Sequence, residues 1–142
     1  MPRTVKPLSK RDFESLSEFR HQLRRFLRFS EDAARSEGLT PLQYQLLLHI
    51  KGFRGRDWAV VGELADRLQT QQHGVVALVS RCETLGLVAR SPGEADRRQV
   101  RVQLTPSGEK CLRRLAEQHR VELTSLSHVF QVANITAFNE RA

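Results

Sequence analysis

Cysteine, methionine, tryptophan and tyrosine are scarce in this 142-residue chain, at two, one, one and one. Cys82 and Cys111 stand 29 residues apart and belong to no CxxC or mixed Cys/His pattern, which leaves neither a disulfide framework nor a zinc site. No apolar run approaches the ~18 residues of a membrane span, and Met1 to Lys10 is polar and proline-containing rather than a charged start before an apolar segment. The expectation is a soluble, cytoplasmic protein. Catalytic signatures are missing too. There is no GxSxG, phosphate loop, HExxH or glycine-rich dinucleotide turn, and the five histidines lack carboxylate or cysteine neighbours at ligand spacing. Cys111 and His119 share a helix face, but their separation of ~12 Å at 1.5 Å per residue is too long for one metal or proton relay. No catalytic residue, metal ligand or cofactor is therefore assigned, and the chain reads as a non-enzyme.

What is present is a core and a positive charge. Leu, Ile, Val and Phe account for 40 of the 142 residues, well above the roughly 20% below which charged chains stay disordered. The length fits one domain, with helical extensions. Lys and Arg number 23 against 16 Asp and Glu, for a net charge of +7, and 19 of the 23 are arginine. That balance favours a polyanionic partner.

Ser9 followed by Asp12 has capping-box spacing ahead of a long periodic segment. Phe13, Leu16, Phe19, Leu23, Phe26 and Leu27 then recur at three- and four-residue steps, one stripe of a helix running to about Glu37, where Gly38 ends it. Arg20, Arg24 and Arg28 are read onto the opposite face. A stripe this long exceeds what one small domain can cover, so a partner helix is implied. Leu39-Thr40-Pro41-Leu42-Gln43-Tyr44 starts a second helix, with Thr40 as N-cap, Pro41 at its first position, Gln43 closing the box and Leu39 with Tyr44 as staple. It runs to about Lys51. After a basic turn at Gly52 to Gly55, Trp58 to Val61 leads into a short helix with Leu64, Ala65 and Leu68. Thr70 is expected to cap a third periodic run, Val75, Leu78, Val79, Cys82 and Leu85, which Gly86 terminates.

Two short helices around the polar turn Gln69 to Gln71 make a helix-turn-helix, whose second helix can enter a major groove. Leu87 to Arg90 and Gln99 to Leu104 have strand character, with turn chemistry at Ser91-Pro92-Gly93-Glu94, so a hairpin with a basic tip follows, holding Arg90, Arg97, Arg98 and Arg101. Thr105-Pro106-Ser107-Gly108 begins a last long helix whose stripe contains Leu112, Leu115, His119, Leu123, Leu126, Val129 and Phe130. Val132, Ile135 and Phe138 continue its spacing.

This order of elements resembles the multiple antibiotic resistance regulator (MarR) family of winged-helix transcription factors over about residues 10 to 130. Val61-Gly62-Glu63-Leu64-Ala65-Asp66-Arg67-Leu68 is similar to the family's first motif helix, and Glu83-Thr84-Leu85-Gly86-Leu87-Val88 to the exit from its recognition helix. Asp96-Arg97-Arg98, with Val100, Val102 and Leu104-Thr105-Pro106-Ser107-Gly108, is similar to its wing and the entry to its dimer helix. The resemblance implies a mainly α fold with a small β wing. On the same resemblance, residues 1–142 are expected to form a single domain, in which 10–37 and 106–142 are dimerisation helices and 40–104 the winged helix-turn-helix. It further implies a homodimeric regulator, a repressor in the first instance, on a pseudo-palindromic double-stranded DNA site.

Thr70, Gln71, Gln72 and His73 open the recognition helix where base edges and phosphate are met. Gly74, Val76 and Ala77 stand where relatives carry hydroxyl or basic groups, so Val76 and Ala77 are placed against thymine methyls. Arg98, held by Asp96, is assigned to a narrow minor groove and Arg97 to phosphate. Arg90 and Arg101 fit either a phosphate contact or an exposed strand. Arg81 fits the DNA backbone or an internal pair with Glu83 or Asp66. Cys82 reads as a buried, inert thiol, and Cys111 stays open. The resemblance also implies a small effector, aromatic or anionic, for which His21, Tyr44, His49 and Trp58, with Arg20 or Arg24, are wall candidates, while the favoured reading of each is an ordinary packing or surface residue. The competing reading is a winged helix used for protein contact.

Overall fold

The computed structural model describes residues 6–125. In order come α1 (Lys10–Ser36), α2 (Pro41–Lys51), β1 (Trp58–Val60), α3 (Val61–Leu68), α4 (Gln72–Thr84), β2 (Val88–Pro92), β3 (Val100–Leu104) and α5 (Pro106–Ser125). The fold is mainly helical with one small antiparallel sheet of order β1-β3-β2. The described residues separate into two compact units, one of residues 31–117 and one of residues up to 30 with those from 118 onward.

Local chemistry sets most helix ends. Asp12 Oδ2 accepts from Ser9 N–H at 2.9 Å while Ser9 Oγ accepts from Asp12 N–H at 3.2 Å, a reciprocal box that starts α1. Thr40 and Gln43 do the same for α2 at 3.2 and 3.0 Å. Two helices stop at glycines in the left-handed region, Gly38 (φ +78) and Gly86 (φ +76). There the six-to-one bonds Leu39 N to Ala34 O and Leu87 N to Cys82 O close Schellman turns at 2.9 Å. The same turn ends α3 without glycine: Gln69 takes φ 52 itself.

The unit of residues 31–117 holds the core. Leu46, Leu47 and Ile50 of α2, Leu64 of α3, Val75 and Val79 of α4, Val102 of β3 and Leu115 of α5 are fully buried. At about 1.5–3 kcal/mol for each buried large side chain, this cluster dominates the unit's stability. Lys51 to Glu109 at 2.5 Å and Arg114 to Glu37 at 3.0 Å tie α5 to α2 and to the end of α1.

β1 is a strand that periodicity did not single out; its pairing with β3 (Trp58 with Gln103, Ala59 with Val102) makes it one. Trp58 lies between two guanidinium groups, Arg56 at 4.1 Å and Arg101 at 3.7 Å from its ring centroid. Ser91 and Pro92, read as turn, continue β2 instead, opposite Arg101 and Val100. An edge strand accommodates a proline because no neighbour needs its missing N–H.

In the other unit, Phe13, Leu16 and Leu27 of the α1 stripe are exposed by 54%, 42% and 48%. Arg20, Arg24 and Arg28 are exposed as well, but at ~100° per residue Arg20 falls within this stripe and Arg24 at its edge, and only Arg28 turns toward the opposite face. His119 is buried, its Nε2 2.8 Å from Ser30 Oγ and its ring edge-on to Phe26 and Phe29. Leu126, Val129, Phe130, Val132, Ile135 and Phe138, and with them most of the stripe expected of the last helix, lie outside the described residues.

Candidate nucleic-acid interface

α3 and α4 are joined by a turn whose shape decides where α4 begins. Gln69 in the left-handed region lets Thr70 N–H bond Ala65 O at 3.1 Å, so Thr70 completes the exit of α3. The N-cap of α4 is accordingly Gln71 (φ −72, ψ 147), not Thr70 as its hydroxyl suggested, and it makes no side-chain capping bond. That leaves the first-turn N–H groups of α4 pointing out of the helix without a cap.

Val75, Val79 and Cys82 are the buried face of α4. Thr70, Gln71, Gln72, His73, Gly74, Val76, Ala77, Ser80 and Arg81 are all exposed. Among the described residues, Arg81 forms no ion pair with Glu83 or Asp66; Glu83 pairs with Arg90 at 3.1 Å instead.

The seven residues 93–99 form the hairpin tip between β2 and β3. Gly93 N–H bonds Gln99 O at 2.8 Å and Gln99 N–H bonds Asp96 O at 3.1 Å. A Cβ on Gly93 would lie 2.5 Å from Asp96 O, so this turn requires glycine. Asp96 Oδ1 accepts from the Arg98 backbone N–H at 3.0 Å and stands 3.7 Å from Arg98 Nε. Asp96 thus folds the tip, while the Arg98 side chain is 97% exposed. Arg97 is exposed beside it.

Arg90 and Arg101 are not at the tip. Both sit within strands. Arg90 reaches back to α4, donating to Glu83 Oε1 at 3.1 Å, Val76 O at 3.1 Å and Ser80 Oγ at 2.8 Å. Arg101 lies over Trp58. The Arg90 contact to α4 was not visible in the sequence, because nothing in residue spacing tells which way a strand arginine points.

The junction below the wing is held by three bonds and a close backbone approach. Thr105 Oγ1 caps α5 by accepting from Gly108 N–H at 3.1 Å and donates to Gly86 O at 2.5 Å. Thr105 N–H bonds Leu87 O at 3.0 Å. A Cβ on Gly108 would fall 2.0 Å from that same carbonyl oxygen.

The effector candidates separate between the two units. Tyr44 is in the core and 4% exposed. His49 is half-buried, with burial and then the charge of Arg67 lowering its pKa. Trp58 is occupied by its two arginines. His21 is exposed near Glu18, and Arg20 and Arg24 are exposed.

Neither thiol is poised for chemistry. Burial pushes Cys82 up to about 11, and also raises Cys111, against which the Arg114 charge acts only in part. Both are free and buried. A thiol-specific disulfide reagent at pH 8 is expected to titrate no cysteine in the native protein and both after denaturation; fast labelling of the native protein would contradict the buried positions.

Residues 37–99 match the model of the MarR family. A protein of Thauera aromatica named for transcriptional regulation of the hcr operon is 29% identical over 98 residues, which make up 69% of this chain and 57% of that protein. The chain therefore spans little more than half the length of that relative. Among solved structures, a mutant MarR from E. coli complexed with operator DNA superposes with a TM-score of 0.67 at 18% identity, covering 85% of each chain. BpsR of Bordetella bronchiseptica, whose DNA binding is regulated by 6-hydroxynicotinic acid, gives 0.63 at 21%, covering 85% of this chain and 84% of that one. At these identities the structural likeness is one of fold. Among the described residues no helix is long and apolar enough to cross a membrane.

Proposed function

We propose, from the premise that this chain belongs to the MarR family through residues 37–99, that it is a homodimeric repressor binding a pseudo-palindromic operator. The family is one of transcription regulators, not enzymes. The observation that carries the reading is an uncapped, exposed start of α4 combined with a wing tip that Asp96 folds so that the Arg98 side chain stands in solvent. Gln71, Gln72 and His73 supply donors and acceptors for base edges, with Thr70 and the first-turn N–H groups meeting phosphate. Val76 and Ala77 are the apolar part of the same face, and Arg81 takes the backbone. Arg98 enters the minor groove, Arg97 takes phosphate, and Asp96 holds their loop.

The exposed stripe of Phe13, Leu16 and Leu27 supports the dimer. Twofold symmetry then sets half-sites about one helical turn, ~34–36 Å, apart. In sedimentation the protein is expected at twice its 16.3 kDa chain mass; a stable monomer at micromolar concentration would remove the basis for a palindromic site. A small aromatic or anionic effector fits the reading by analogy with BpsR, and needs only to bind better to a half-site spacing that DNA cannot use. The protein is placed in the cytoplasm, with its DNA.

The test is anisotropy of a labelled duplex from upstream of the protein's own gene, against a scrambled duplex, titrated across salt. Wild type is expected to prefer the native duplex with steep salt dependence. Arg98→Ala is expected to bind roughly tenfold more weakly and to flatten the log–log salt slope by about 0.9 for each charge lost, thus by nearly 2 per dimer. Equal, salt-insensitive binding to both duplexes would instead favour a protein-contact role for the winged helix.

A further inference from the structure

The outward face of α4 changes chemistry along its length. Gln72 and His73 are polar at its start and Arg81 is charged in its last turn. Between them, the exposed Gly74, Val76 and Ala77 offer no side-chain donor or acceptor, and Val76 is 47% exposed. The next hydroxyl, on Ser80, is held at 2.8 Å by Arg90, which is itself engaged by Glu83 and by the Val76 carbonyl. The polar groups nearest the middle of the helix are therefore turned toward one another.

A helix with this face cannot identify the central bases of a half-site by hydrogen bonds. The apolar group that a base edge presents in the major groove is the C5-methyl of thymine. We infer that Val76 and Ala77 read thymine methyl groups at the centre of each half-site, and that polar readout is confined to the bases facing Gln72 and His73. The net charge of +7 favours a duplex over a hydrophobic protein surface as the occupant of this face. The inference rests on the DNA-binding reading above.

The experiment starts with selection of bound duplexes from a randomised pool by the full-length protein. The selected duplex is then prepared with thymine, and with deoxyuridine in place of thymine within the half-sites. Removing one methyl contact is expected to weaken binding about fourfold, close to what one buried methylene is worth, and about sixteenfold for the two half-sites of a dimer. Val76→Ala, an exposed substitution that keeps the fold, should bind the thymine duplex more weakly and lose much of the difference between thymine and uracil.

Each outcome decides something. If uracil and thymine duplexes bind within twofold of each other while the selected sequence still beats a scrambled one, methyl readout is wrong and DNA binding stands. A uracil loss of the same size in wild type and Val76→Ala would mark a change in duplex shape and overturn the role of Val76. If no sequence is enriched, the DNA reading fails and this inference falls with it.

Discussion

Gly108→Ala is expected to lower the melting temperature by about 10 °C, measured by circular dichroism at fixed protein concentration. Helix propensity alone gives the opposite sign, since alanine in a helix is favoured over glycine by about 1 kcal/mol. The close approach wins. The added Cβ would stand 2.0 Å from the Leu87 carbonyl oxygen and 3.0 Å from its carbon, both backbone atoms that no rotamer change can remove. Leu87 is fixed from three sides, by its N–H to Cys82 O at 2.9 Å, by its O from Thr105 N–H at 3.0 Å and by its buried side chain. Overpacking of this kind costs about 1–3 kcal/mol, and loss of the Thr105 bond adds about 1. At a few degrees per kcal/mol for a chain of this size, the total is near 10 °C. Gly62→Ala is the control. A Cβ there meets only the end of the flexible Gln72 side chain at 3.5 Å, so a gain of about 0.5 kcal/mol is expected. A neutral Gly108→Ala would mean that α5 does not seat on the exit of α4.

That contrast also marks what can be read from residues alone. The start of α2 was legible because Thr40, Pro41 and Gln43 act within one turn of chain. The stops at Gly38 and Gly86 were legible for the same reason, a local backbone requirement that glycine meets. Features set by distant chain were not. Trp58–Val60 is a strand only because residues 101–103 lie beside it. Gln69 adopts a left-handed conformation that its side chain does not advertise, and this moved the start of α4 past Thr70. Gly108 stood in a recognisable Thr-Pro-Ser-Gly start, yet its need for glycine comes from Leu87, on the far side of the hairpin. Of the proposed DNA-contacting residues, those on α4 and at the tip could be placed from helix and turn signals. The turn of Arg90 toward α4 could not be read in this way, because either direction suits a strand residue.

Arg90→Ala is expected to weaken operator binding about tenfold while leaving the salt slope at its wild-type value. An arginine on phosphate would behave otherwise: each lost contact should flatten the slope by about 0.9, as expected for Arg98. The guanidinium of Arg90 already donates to Glu83 Oε1, Val76 O and Ser80 Oγ, so it has other work than a phosphate. These bonds join β2 to the middle of α4, and thus fix how that helix sits relative to the strand leading into the hairpin tip. Losing them costs about 1 kcal/mol of stability, since the ion pair is partly solvated. The larger effect falls on binding, because a helix free to rock must be ordered again each time it enters the groove, once per half-site. Arg90→Lys should not restore affinity. One ammonium keeps the charge but lacks the planar fork that reaches a carboxylate, a carbonyl and a hydroxyl together. Salt titrations of wild type, Arg90→Ala, Arg90→Lys and Arg98→Ala on one duplex separate the two roles. A slope for Arg90→Ala that falls as far as that of Arg98→Ala, with rescue by lysine, would move Arg90 from the helix to the phosphate backbone.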